Sequence, residues 1–330
     1  MLLIVAIATG ALVTMVIGCD RGGDSRTATT QGARKKLYWV QPLRSHPVHQ
    51  LTQTAFKEGC EKLGYDCEVV GTDRLDTPGT VAMARQIMAK GDAAGLAVWA
   101  GDGVYYQLIN EATAKGIPAV IVHFPTDQKE VPGAVGVVSG DPDEYAGQAA
   151  IFIGEQIQKQ HGGKGAVAIT QGSSNAIEDK VSRVFTHAMK EKFPGMKVME
   201  PQMEGFNPQQ AITKAADIVR GNPDVVAALT TTGGEPPTWP GAIRETGRKV
   251  INVGVNYTRA NLDAVRDGGM TALIAQPLWD ESYEAAGVLD RAIRGEKVEW
   301  WTKLPAPLIT KEGLGRYYEI MDKADAAARR

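Results

Sequence analysis

KLYWVQPLRSHPVHQLTQTAFKEGCEKLGY, residues 36–65, decides the fold. Residues 37–40 are a short apolar run of β-formers, which predicts a buried strand. The polar stretch 41–49 breaks it, with Pro42 and Pro47 marking a turn. From Val48 onward, Leu51, Ala55, Phe56, Cys60 and Leu63 recur at helical spacing, and Gly64 supplies a stop. Strand, polar loop and helix in that order open an α/β unit. Ligands of such folds bind outside the carboxyl ends of the strands, where the N–H groups of the next helix point. The loop 44–49 is therefore the first candidate wall of a binding site.

The length of 330 residues predicts two domains, and an apolar fraction of 43% is ample for their cores. A net charge of −2 leaves no basic excess to neutralise phosphates, which excludes nucleic acid as the main partner. No repeat in the solenoid range is visible. Residues 1–17 form a nearly unbroken apolar run of signal-peptide length, with no Lys or Arg ahead of it. It ends in Val16-Ile17-Gly18-Cys19, which resembles the lipobox of bacterial lipoproteins. That resemblance implies a signal peptide over 1–18, lipidation of Cys19 and an exported, membrane-anchored chain; a non-cleaved N-terminal anchor would hold the body on the same side. Residues 20–34 have no apolar side chain larger than Ala and predict a flexible tether. Cys60 and Cys67 then remain, with six residues between them. They are either a disulfide or two buried thiols, and the even count in an exported chain favours the disulfide.

Farther along, apolar strands alternate with amphipathic helices. Strands are expected at 67–72, 95–100, 119–122 and 135–139, then at 165–170, 196–200, 225–230, 250–255 and 271–275. Helices are expected between them, including 143–160, 176–193, 208–220, one near Ala242, and 280–294, with a tail strand at 307–309. This alternation predicts parallel sheets covered on both faces. Two such sets of similar size suggest two lobes with a cleft between them.

At this point the chain resembles the periplasmic sugar-binding proteins of the ribose-binding type, the type I periplasmic binding fold. The carriers are residues 45–65, GIPAVIVHF (116–124), NPDVVAAL (222–229), VINVGVNYT (250–258) and TALIAQPL (271–278), in family order. The resemblance implies an α/β protein of two Rossmann-like, doubly wound parallel-sheet lobes joined by a three-crossing hinge. One lobe would hold 35–140 plus 277–306, and the other 141–276 plus 307–330. It also implies a clamp that closes on a small solute and docks on the permease subunits of an ABC importer. Related repressors carry an N-terminal helix-turn-helix; here leader and tether take that place.

The resemblance maps the ligand contacts onto His46, Val48 and His49, where ribose binders have Asn and a pair of Phe. It maps an Asp-Arg pair onto His123-Phe124 and a ligand-binding Arg onto Glu178 or Asp179, of which Asp179 joins the expected ligand set. It further points to Phe206, Thr232, Asn256 and Gln276, of which only Phe206 and Gln276 keep the family residue. This points away from ribose itself. The segment 233–240, GGEPPTWP, lacks the spacing and Lys of a phosphate loop and is expected to form a stiff cleft wall carrying Glu235 and Trp239. Neutral Thr, Asn and Gln with aromatic faces suit a neutral sugar or polyol. The added carboxylates leave room for a cationic, amino-bearing ligand.

Three alternatives are weighed against that reading. His46, His49 and His123 could in principle hold a metal, but they come from loops whose family role is sugar contact, so neither metal nor cofactor is expected. Catalysis would rest on Ser45 beside His46 or His49; adjacent residues rarely give that geometry and no G-x-S-x-G elbow exists, so a metal-dependent hydrolase or other enzyme is set aside. A sensory module feeding a membrane receptor or histidine kinase would have the same sequence features. The expected assembly is a monomer.

Overall fold

The computed structural model describes residues 36–234 and 237–328. The leading α/β unit comprises β1 (Lys36–Val40) and α1 (Pro47–Leu63), followed by β2 (Asp66–Val70), α2 (Thr77–Lys90), β3 (Ala93–Trp99), α3 (Gly103–Ala114), β4 (Ala119–Val122) and β5 (Gly136–Ser139). Next come α4 (Pro142–His161), β6 (Ala166–Gln171), α5 (Ala176–Lys192), β7 (Lys197–Val198), β8 (Gln202–Met203), α6 (Pro208–Gly221) and β9 (Val225–Thr230). Then follow α7 (Thr238–Thr246), β10 (Ile251–Val255), α8 (Arg259–Asp267), β11 (Ala272–Ile274), α9 (Leu278–Ile293), β12 (Trp301–Lys303), β13 (Leu308–Ile309) and α10 (Gly315–Ala328).

The opening stretch folds for the reasons its sequence suggests. Leu37, Trp39 and Val40 are fully buried, and β1 sits between β2 and β3 in a parallel sheet. Pro47 occupies the first turn of α1, where its missing N–H costs nothing. Val48, Leu51, Ala55, Phe56 and Cys60 face inward, and Gly64 ends the helix at φ 82°, a conformation glycine takes without strain. Cys60 at the end of α1 is joined to Cys67 in β2, with Cα atoms 6.2 Å apart.

Two sheets result. The first runs β12-β5-β4-β3-β1-β2 and the second β13-β11-β10-β9-β6-β7, with β8 also pairing on β6. Every pairing is parallel except β11 with β13. The chain passes from one sheet to the other after β5, again between β11 and α9 (which packs on β3, β4 and β5), and again between β12 and β13. The architecture is a two-lobed α/β fold.

Three elements depart from the sequence expectation. The strand expected at 196–200 is only the two residues of β7, because the chain leaves the sheet and rejoins it one turn later as β8. The expected stiff wall over 233–240 is partly helix, since α7 starts at Thr238 and holds Pro240 in its first turn, where no intrahelical donor is needed. The tail carries α10, whose buried Tyr317, Met321 and Ala324 recur at helical spacing.

Candidate functional site

The carboxyl ends of β1, β3 and β4 in the first lobe face those of β6, β9, β10 and β11 in the second across a cavity of about 230 Å3. That is small against the roughly 300–1,000 Å3 of pockets for drug-sized ligands, and suits a molecule of one ring. The described residues contain three non-glycine positions with left-handed φ: Leu43 (54°), His123 (75°) and Asn256 (68°). All three line this cavity. Such backbone costs free energy that the surroundings must impose, and it gathers at functional sites. At Asn256 the imposing group is visible, since Asn261 Nδ2 donates to the Asn256 carbonyl at 2.8 Å and to the Val255 carbonyl at 3.1 Å.

The first lobe contributes an aromatic bed. Trp99, the last residue of β3, stacks on His123 with ring centroids 4.3 Å apart and planes at 8°. Phe124 meets the same indole edge-on at 5.7 Å, and His49 lies 5.1 Å away. His123 is fixed from behind, its Nδ1 2.7 Å from Oε1 of Glu281, a fully buried carboxyl on α9. His49 Nδ1 lies 2.7 Å from the Pro42 carbonyl, which can only accept, so this nitrogen carries the proton and Nε2 keeps its lone pair. Burial pushes the His46 imidazole down to about 4, and burial with the neighbouring His46 pushes His49 down to about 3. Both rings are therefore neutral hydrogen-bonding groups at neutral pH.

The second lobe closes over this bed. Phe206 comes edge-on to His46 at 6.2 Å, so rings from the two lobes meet. Asn256, Thr232 and Gln276 line the cavity, with Gln276 Nε2 donating to the Tyr145 hydroxyl at 2.8 Å. Glu178 also lines it, 7% exposed, and knits the loops around it. Its carboxyl accepts from Gly172 N (2.7 Å), Asn175 Nδ2 (2.7 Å), Thr231 Oγ1 (2.6 Å) and Thr232 Oγ1 (3.0 Å). Burial raises its pKa, and these donors oppose the rise. Three buried polar atoms on residues of the cavity wall, His46 Nδ1, the Tyr105 hydroxyl and Asn256 Oδ1, have no hydrogen-bond partner among the described residues. Among the described residues no Lys or Arg lines the cavity, whereas Asp102 and Glu178 do. The arrangement offers ring faces, neutral donors and acceptors, and negative charge; it has no clamp for an anion.

Of the expected ligand residues, His46, His49, His123, Phe124, Phe206, Thr232, Asn256 and Gln276 lie on this cavity. Two do not. Asp179 lies outside the lining, one helical position from Glu178, and accepts from Gln171 Nε2 (3.0 Å) and Ser174 Oγ (2.8 Å). A step of about 100° around α5 separates the pair, and Glu178 takes the inward position. Trp239 is not a cleft wall either. Helix α7 turns it into the core, 0% exposed, where its indole N–H donates to Thr170 Oγ1 at 3.1 Å. Glu235 and Cys19 lie outside the described residues. Trp99 went unremarked in the sequence, although it ends a strand where ligands of this fold bind. Among the described residues, no three His, Cys, Asp or Glu side chains are grouped so as to hold a metal ion.

A sequence profile described as periplasmic binding protein domain matches residues 37–297. The chain belongs to this periplasmic binding protein family. Family membership makes it a binding protein rather than an enzyme and places it outside the cytoplasm. It is 23% identical over 293 residues to the D-apiose import binding protein of Paraburkholderia graminis, covering 88% of this chain and 91% of that protein. To the ribose import binding protein of Bacillus subtilis it is 23% identical over 205 residues, 62% of this chain and 64% of that protein. Among solved structures it resembles a carbohydrate transporter solute-binding protein of Agrobacterium radiobacter in complex with D-arabinose. That match has a TM-score of 0.80 at 17% identity and covers 88% of this chain and 99% of the other.

Proposed function

We propose that this protein captures a small hydroxyl-rich solute, a sugar or polyol, between its two lobes and delivers it to an ABC importer. The observation that carries the reading is the pairing of the Trp99–His123 stack with the unpartnered His46 Nδ1 and Asn256 Oδ1 on one cavity. A sugar ring has an apolar C–H face for the indole and hydroxyls that both donate and accept, which satisfies groups that are costly when buried alone. The names of the two import binding proteins support the same class. Asp102 and Glu178 without a lining Lys or Arg favour a neutral or amino-bearing sugar over a phosphorylated or carboxylated one. The lobes, divided near Gly140, Gln276 and Ala306, would close as a hinged clamp. Lipidation at Cys19 would hold the exported monomer beside its permease.

Protein purified from membranes in a non-glycosidic detergent should gain thermal stability from a sugar it binds. The gain is about 2.7 kcal/mol when ligand is at 100-fold excess over Kd. A panel of pentoses, hexoses, polyols and amino sugars that moves the unfolding midpoint nowhere overturns the proposal. Mass spectrometry of the acylated N-terminal peptide tests the anchor separately.

A further inference from the structure

Beside the cavity just described lies a second, of about 340 Å3, that the capture reading does not use. Both lobes wall it: Ser45, Pro47 and Asp73 from the first, Asn207, Pro208 and Ala211 from the second. His46 and Phe206 line both cavities, so their edge-on contact is the partition between them. At the second cavity stands Glu204, a carboxyl only 5% exposed. Its Oε1 accepts from Thr230 Oγ1 at 3.0 Å and from Thr238 Oγ1 at 3.1 Å. Its Oε2 is buried and makes no hydrogen bond of good geometry, although the Thr170 hydroxyl lies close enough to draw the carboxyl's pKa down.

We propose that this second cavity is a subsite for the distal unit of a two-unit ligand, a sugar or amino-sugar ring whose hydrogen-bond donor is received by Glu204 Oε2. The inference rests on the sugar-capture reading and extends it from one ring to two. An unmet carboxylate oxygen in a buried setting carries a desolvation cost that a ligand hydroxyl or ammonium removes. The partition suits a linked pair of rings, because each ring can pack against one side of the same aromatic edge. As in the first cavity, no Lys or Arg among the described residues lines the second, so an anionic distal unit finds no counter-charge from them. Burial lifts the Glu204 carboxyl to about 7, against the pull of its threonine donors, so a ligand donor also determines its charge state.

The test is calorimetric titration of the full chain in a non-glycosidic detergent. Maltose, cellobiose, lactose and the glucosamine dimer are each compared with their own monosaccharides. Wild type is run beside Glu204→Gln and Ser45→Trp. The second variant fills the cavity from an exposed position outside the first, so it does not depend on the folding of a core carboxyl replacement. The expected result is a disaccharide bound at least about tenfold tighter than its monosaccharide units by wild type. Both variants should erase that advantage while monosaccharide affinity stays within about twofold. Monosaccharides that bind without any disaccharide advantage, or variants that weaken both sizes alike, overturn the subsite and leave the capture reading standing. Failure of both sizes to bind overturns both.

Discussion

Asn256 shows how one residue serves backbone and ligand at once. Its φ of 68° is a conformation that Asn tolerates better than most side chains, and its Oδ1 is buried without a partner on a residue that lines the cavity. Asn256→Gly should therefore fold with a nearly unchanged unfolding free energy while sugar affinity falls about tenfold. Asn256→Ala should lose the same affinity and about 1 kcal/mol of stability besides. Denaturant midpoints and calorimetric titration of the two variants check this, and equal stability of Gly and Ala would sink it. The titrating groups make a second prediction. His46 and His49 bind protons less readily folded than unfolded, so their contribution to stability is lost as pH falls from about 6.5 toward 4 for His46 and toward 3 for His49. Glu204 is the reverse, an acid whose folded pKa of about 7 lies above its unfolded value near 4.5. Its contribution is present at low pH and disappears as pH rises between those limits. Between pH 7 and pH 5 it offsets the histidines, so Glu204→Gln should lose more stability on acidification than wild type, by about 2 kcal/mol. Urea unfolding at the two pH values reads the difference. A parallel loss in both proteins contradicts it.

Elements were legible where periodicity was strong and short of neighbours that change its meaning. The helices α4, α5 and α6 follow their apolar spacing because one face packs on a sheet. The segment after β9 was not legible: its glycines and prolines signal a loop, yet Pro237 and Pro240 fall at positions where a helix start tolerates proline. The step of one residue that separates Glu178 from Asp179 is likewise invisible without knowing which face of α5 meets the cavity. Close packing between elements gives a prediction of its own. Gly154 on α4 lies so near Phe193, after α5, that an added Cβ would stand 2.2 Å from the ring. Gly154→Ala should cost about 1–3 kcal/mol, and pairing it with Phe193→Leu should recover part of that cost. Thermal unfolding of the single and double variants decides it; additive losses would show that the two do not share the space.

At the scale of the molecule, α10 touches both lobes. Arg259 at the start of α8 pairs with Asp322 and Asp325, both at 2.8 Å, while Lys323 pairs at Glu58 on α1 and lies 4.9 Å over the Trp279 ring. These exposed pairs contribute little individually. The burial of Tyr317 and Met321, with Tyr317 4.8 Å from the Tyr257 ring, contributes more. Truncation after Leu314 should lower the unfolding free energy by about 4 kcal/mol, from two large side chains at about 1.5–3 kcal/mol each. An unchanged midpoint in the truncated protein would show that the helix stabilises nothing.

By itself the amino-acid sequence determined the alternation of strands and helices, the pairing of two α/β lobes, and the loops that carry His46, His49, His123 and Asn256. The alternation and the loop that carries His46 and His49 follow from local periodicity and turn chemistry, which one chain segment contains entire, while the ligand positions at His123 and Asn256 come from the resemblance to ribose-type binding proteins. Only the tertiary structure decided that Trp99 is the centre of the aromatic bed, that Trp239 is core, that Glu178 rather than Asp179 faces the cavity, and that Glu204 stands beside a second cavity with threonine donors on one carboxyl oxygen only. Each of those is a relation between residues far apart in the chain. Their environment depends on the rotation of a helix or the meeting of two lobes, and neither quantity is written in the spacing of a single segment.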